Sequence, residues 1–234
     1  MFFYGITFNV REGNMKVKVN GVVLNYDVVG TGYPIILLHG NGENYTIFNK
    51  LIEKLQEDYT VYAVDSRSHG ESEETEEVSY DLMAEDIIQF IKELNIENPM
   101  LYGFSDGGIV GLLIAMKEPE LLSKLIVSGV NINPKGLKNG TYIGCKIASM
   151  FTNNKLIKMM VNEPNIQLEQ LNNIKVPTVL VVGDRDCIKL SHTKLIHRNI
   201  PNSKLEIVKR AGHSNYIIGK DRIYYILKKH IENA

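Results

Sequence analysis

Gly103-Phe104-Ser105-Asp106-Gly107 stands between an apolar run, MLYGF, and a helical run, GIVGLLIAM. A serine at that junction has the chemistry of a nucleophile. A strand that turns abruptly into a helix lifts the hydroxyl above the sheet edge in a strained conformation, and Gly103 and Gly107 let neighbouring segments approach. The helix that starts there favours developing negative charge at its N-terminus, which makes the Asp106 backbone N–H an oxyanion donor. A serine hydroxyl is a weak nucleophile at neutral pH and needs a base, itself held by an acid. Candidates for both lie downstream. The run VPTVLVVG leads into Asp184-Arg185-Asp186, and KLEIVKR into Ala211-Gly212-His213. Each side chain falls at the carboxyl end of a predicted strand, where open α/β sheets build their sites. Of six histidines, His213 alone follows the last strand behind a small, flexible pair. His69, His192, His197 and His230 read as packing or surface residues.

The elements that must position these groups are legible as alternating patterns. Residues 35–38, 61–64, 100–104, 125–128 and 179–182 are short apolar runs of the kind a sheet covered on both faces requires. Helical spacing occupies 48–55, 82–94 and 109–116, and a strand at 204–208 precedes a helix at 216–231. Such βαβ alternation predicts a doubly wound, mostly parallel sheet with right-handed crossovers. From Met15 the segment MKVKVNGVVLNYDVVG alternates about Asn20-Gly21, a hairpin signal. Residues 134–173 show no strand signal and read as a small helical cap inserted into a core of 15–133 and 174–234. Residues 1–14 read as an extension upstream of Met15, since Arg11-Glu12-Gly13 is encodable by a purine-rich run of ribosome-binding character; the competing reading is an added edge strand. The glutamate-rich run Glu71 to Glu77 predicts a solvated loop.

Composition sets outer limits. The 234 residues suit one α/β domain with an insertion, and 44% hydrophobic with 23% charged residues is that of an ordinary globule. Net charge is only -1, from 26 basic and 27 acidic side chains, which gives no footprint for nucleic acid. No apolar run approaches the roughly 18 residues of a membrane span. Two cysteines, Cys145 and Cys187, lack metal-ligand spacing and favour a reducing cytoplasm. There is no GxGxxG after the first strand, no Walker sequence and no metal cluster, so neither cofactor nor metal is expected. The expected partner is a small acyl substrate, with no nucleic acid or membrane partner, for a monomer or homodimer.

From Met15 to the C-terminus these segments resemble the α/β-hydrolase fold family, specifically its esterase and lipase-like members with a short cap. Besides the serine motif, His39-Gly40 after PIILL resembles the family's HG motif, and Asp65 to Ser72 its DxRxxGxS turn, which is structural. The resemblance implies a catalytic Ser105, Asp186 and His213, with an oxyanion hole from the N–H groups of Asn41 and Asp106. It implies supporting roles for His39, Gly40, Gly103 and Gly107. The family usually places its acid three residues after the strand-ending glycine, here Gly183, which favours Asp186; Asp184 would brace the loop. A serine rather than an aspartate at the turn, and the absence of tryptophan, argue against haloalkane dehalogenation. Met150, Phe151, Met159 and Met160 are expected to line an acyl pocket or to glue the cap to the core. Five cap lysines against Glu163 and Glu169 admit an anionic acyl substrate. The implied activity is that of a carboxylesterase. Thioesterase, carbon–carbon bond hydrolase, lactonase and perhydrolase chemistry share the same residues, and a non-turnover receptor shares the fold.

Overall fold

A computed structural model describes residues 14–232. The proposed extension therefore lies outside the described residues but for Asn14. Eight strands form one sheet: β1 (Met15–Val19), β2 (Val22–Val29), β3 (Tyr33–Leu38), β4 (Tyr59–Val64), β5 (Met100–Phe104), β6 (Lys124–Ser128), β7 (Thr178–Gly183) and β8 (Ser203–Val208). Their order is β1-β2-β4-β3-β5-β6-β7-β8. The predicted hairpin pairs β1 with β2 antiparallel, β2 pairs antiparallel with β4, and the rest of the sheet is parallel.

Side-chain alternation along the strands builds a core on each face. Ile36 and Leu38 of β3 point to one face with Leu101 and Leu180. They pack there against α2 (Tyr80–Glu93), α3 (Asp106–Lys117) and α6 (Leu190–Asn199). Ile35 and Leu37 point the other way with Tyr102 and Val181, against α1 (Asn49–Leu55) and α7 (Arg222–Glu232). Two further helices, α4 (Asn139–Met150) and α5 (Lys155–Asn162), lie with short 3-10 turns between β6 and β7. No helix among the described residues is long and apolar enough to cross a membrane.

The C-terminal helix differs from the sequence expectation. It begins at Arg222 rather than at 216, because Gly219 takes a left-handed φ of 61° and ends the preceding turn. Tyr216 and Ile217 are buried in that turn and supply apolar contacts of their own.

The turn after β4 is a structural clasp. Asp65 accepts from the N–H groups of Tyr45 and Glu71 and from the Asn25 amide. Gly70 has φ 53°, and a Cβ there would come within 2.1 Å of the Asp65 carboxylate, so only glycine fits. Arg67 reaches Asp86 on α2 through two bonds, of 2.6 and 2.5 Å, and both side chains are buried. Asn20 in the hairpin turn donates to the same carboxylate. Removing one partner strands a buried charge, and Arg67→Ala is expected to cost about 3–5 kcal/mol. Denaturant unfolding measures this, and a loss below about 1 kcal/mol would contradict the assignment.

Candidate active site

The sharp turn after β5 holds Ser105 at φ 52° and ψ -114°, a left-handed conformation costly for a residue with a Cβ. The surroundings enforce it. Ser105 N–H donates to the Ser128 carbonyl at 2.8 Å, and Gly108 and Ile109 both donate to the Ser105 carbonyl. A Cβ on Gly103 would sit 2.3 Å from the Gly107 carbonyl, and one on Gly107 2.3 Å from the Leu38 carbonyl. Both glycines are thus close-approach positions, where α3 crosses its own strand and the end of β3.

His213, in the loop after β8, brings Nε2 to 3.1 Å from Ser105 Oγ. Its Nδ1 lies 2.8 Å from Asp186 Oδ1. The three residues form one hydrogen-bonded row. Asp186 is fully buried, and the same Oδ1 accepts from the Ile188 N–H at 2.9 Å. Asp184 is exposed; its carboxylate accepts from the Ala211 N–H, while its own N–H donates to the Val208 carbonyl. It therefore ties the acid-bearing loop to the base-bearing loop and does not reach the imidazole. Burial alone would lower the His213 pKa, but the bond and charge of Asp186, with the neighbouring Cys187 side chain, override it, so the pKa is raised. The same pairing holds the Asp186 carboxyl below its ordinary value despite its burial.

The loop after β3 supplies the other wall. Burial drives the His39 pKa down to about 4, so the ring is neutral. Its Nε2 accepts from the Ser66 N–H, which leaves Nδ1–H to donate to the Gly40 carbonyl at 2.8 Å. The Gly40 N–H donates to Glu43 at 3.0 Å, and the His39 carbonyl accepts from Gly107 N–H. Asn41 follows, its side-chain amide donating to Asp106 at 2.9 Å and to the Leu156 carbonyl at 3.3 Å. Asp106 opens α3, so its N–H belongs to the first helical turn, which has no intrahelical acceptor.

A cavity of about 260 Å³ opens above Ser105. Met160 lines it, with Thr141 and Cys145 of α4 and Cys187 beside Asp186. Of the four cap residues expected to line it or to glue the cap to the core, Met160 does the first and Met159 the second. Met159 is buried in the core, while Met150 and Phe151 are solvent-exposed and outside the lining. None of the five cap lysines lines the cavity either; Lys155 turns to Glu74. The acidic wall residues are Glu43 and Asp106, and burial raises the pKa of both carboxyls. Cys187, Asp186 and His213 are grouped closely enough to ligate a metal ion, although the carboxylate and imidazole already bond one another.

Two contributors, Tyr80 and Gly129, carry no motif, and the Asp106 side chain has a role beyond the backbone N–H that its motif implies. Asp106 holds its carboxylate between Asn41 and the Tyr80 hydroxyl, at 2.9 Å from each. Burial raises its pKa. Tyr80 is the first residue of α2, and nothing in its local sequence marks it. Gly129, at φ 64°, clears space for the imidazole: a Cβ there would lie 2.7 Å from His213 Cε1.

Comparison with known proteins fits this architecture. Residues 33–139 match a family model described as the alpha/beta hydrolase fold. A thermophilic esterase from Thermogutta terrifontis superposes with a TM-score of 0.76 over 94% of this chain and 98% of that one, at 20% identity. The chain has the α/β-hydrolase fold. A meta-cleavage product hydrolase shares this α/β-hydrolase fold with a TM-score of 0.78, at 21% identity, over 95% of this chain and 99% of that one. By sequence, human serine hydrolase BPHL is 25% identical over 90% of this chain and 83% of its own length. Mouse sn-1-specific diacylglycerol lipase ABHD11 is 30% identical over 72% of this chain, and the match spans 55% of that relative. These four are described as an esterase, hydrolases and a lipase, whereas a matched protein of Hanseniaspora uvarum is an ethanol acetyltransferase, 35% identical over 40% of this chain and 29% of its own length.

Proposed function

We propose that this α/β hydrolase is a serine hydrolase that cleaves small carboxylic esters through an acyl-enzyme intermediate. The observation that carries the reading is the unbroken row from Ser105 Oγ through His213 to Asp186, at 3.1 and 2.8 Å. His213 Nε2 takes the serine proton as Oγ attacks the acyl carbonyl, and the Asn41 and Asp106 N–H groups hold the tetrahedral oxyanion. The imidazolium passes its proton to the leaving alcohol. Water then attacks the acyl-enzyme with His213 again as base, and the acid is released. Asp186 stabilises the imidazolium and keeps its proton on Nδ1. We place the reaction in the cytoplasm, where two free cysteines beside the cavity stay reduced.

The cavity, near the lower limit for small-molecule sites, favours short acyl chains. A p-nitrophenyl ester panel is expected to peak at or below about six acyl carbons. A flat profile out to twelve carbons would contradict this. Thioester, lactone and carbon–carbon substrates run beside the panel test whether another leaving group is preferred. Glu43 on the wall, with no lysine or arginine in the lining, disfavours anionic acyl groups.

The pH dependence has a definite sign. His213 acts as base only when neutral, so kcat/KM falls as pH drops through its pKa. Because the partner carboxylate raises that pKa, the acid limb is expected above pH 6.5, the ordinary histidine value. Asp186→Asn should move the limb down: an amide oxygen facing Ile188 N–H retains the Nδ1 bond but loses the charge. A wild-type limb at or below 6.5, or one unmoved in the variant, would contradict the assignment.

A further inference from the structure

Helix α4 has no buried side chain, yet its two faces differ. Thr141 and Cys145, four residues apart, line the cavity above Ser105. On the opposite side, at helical spacing, Ile143, Ile147, Met150 and Phe151 are 54, 52, 74 and 86% exposed. These are four of the eight large hydrophobic side chains exposed among the described residues. Singly scattered surface hydrophobics are ordinary; a contiguous stripe marks an interaction surface. The charge around it is one-sided. Residues 134–162 contain five lysines and no aspartate or glutamate. Lys155 is paired with Glu74. Lys135, Lys138, Lys146 and Lys158 are exposed, with no ion pair among the described residues. The nearby acidic loop meets the start of α5 through that Lys155 contact and leaves α4 itself without a carboxylate.

We propose that α4 docks this protein peripherally on an anionic phospholipid surface. Ile143, Ile147, Met150 and Phe151 enter the boundary between headgroups and acyl chains, and the unpaired lysines contact the phosphates. An apolar helical stripe flanked by cations is how a helix lies in that boundary. A second copy is a poorer occupant, since a two-fold contact through this face would set the same lysines against each other. Lying on a surface differs from spanning, for which α4, at 12 residues, is too short. The expectation of no membrane partner follows from the absence of a spanning segment, which does not bear on this face. The proposal goes beyond the esterase reading and holds whether or not Ser105 turns over.

The test is co-sedimentation of the full chain, without substrate, with large unilamellar vesicles of phosphatidylcholine alone or with 40% phosphatidylglycerol. Binding is expected to the anionic vesicles, at least tenfold tighter than to the neutral ones and weakened at 0.5 M salt. Ile147→Ser combined with Phe151→Ser should lower that affinity at least tenfold. Because both side chains are exposed, the circular dichroism spectrum and melting should stay unchanged, which separates lost docking from lost fold. Lys146→Gln and Lys158→Gln should each cost about fivefold. Wild type that stays in the supernatant with anionic vesicles, or a serine double variant that pellets as wild type does, would overturn the proposal. So would a solution dimer that the double variant dissociates, which would assign the stripe to a second copy.

Discussion

Ser105→Ala is expected to cut kcat/KM for a short p-nitrophenyl ester by about 10⁴-fold or more, a loss of about 5 kcal/mol of transition-state stabilisation. Without Oγ no acyl-enzyme forms, and water must attack with only the oxyanion donors to help. The fold should survive, because the turn is held by the Ser105 N–H and carbonyl bonds and by the close-approach glycines, not by the hydroxyl. Steady-state kinetics with a melting curve checks both halves. A folded variant that keeps more than a tenth of wild-type activity would remove Ser105 from the chemistry.

The second large effect separates two carboxylates only two residues apart. Asp186→Ala should lower kcat by about 10⁴-fold, since His213 loses both its orienting acceptor and the charge that stabilises the imidazolium. Asp184→Ala should cost less than tenfold, because its exposed side chain bonds only the loop that precedes the base. Comparable losses in the two variants, or the reverse order, would move the acid to Asp184. Solvent exposure sharpens the contrast. A buried carboxylate beside a histidine acts in a weakly screened environment, whereas an exposed one is screened by water.

Much of this arrangement is readable because the sequence repeats one local rule: a strand ends, and a polar residue follows. Ser105, Asp186, His213 and Asn41 each stand just past a parallel strand, and one sheet edge brings them together. The hairpin and the run of parallel strands follow from Asn20-Gly21 and from apolar runs whose two faces both pack against helices. What escaped was non-local. Tyr80 meets Asp106 only because α2 lies beside α3, and Gly129 matters only because the imidazole passes over it. Helical spacing in the cap spoke for an apolar face but not for its direction. Met159 turned into the core, Met160 into the cavity, and Met150 and Phe151 outward. The start of α7 at Arg222 differs from the expected 216 because Tyr216 and Ile217 carry helix-like spacing while serving as plugs in a turn that Gly219 ends.

Whether Ser105 is a nucleophile activated by His213 is read out by fluorophosphonate labelling with peptide mass mapping. One adduct per chain is expected, on the peptide containing Ser105, with labelling strongly slowed in His213→Ala and abolished in Ser105→Ala. A folded wild-type protein that takes up no label, or takes it on another residue at an undiminished rate in Ser105→Ala, would contradict it.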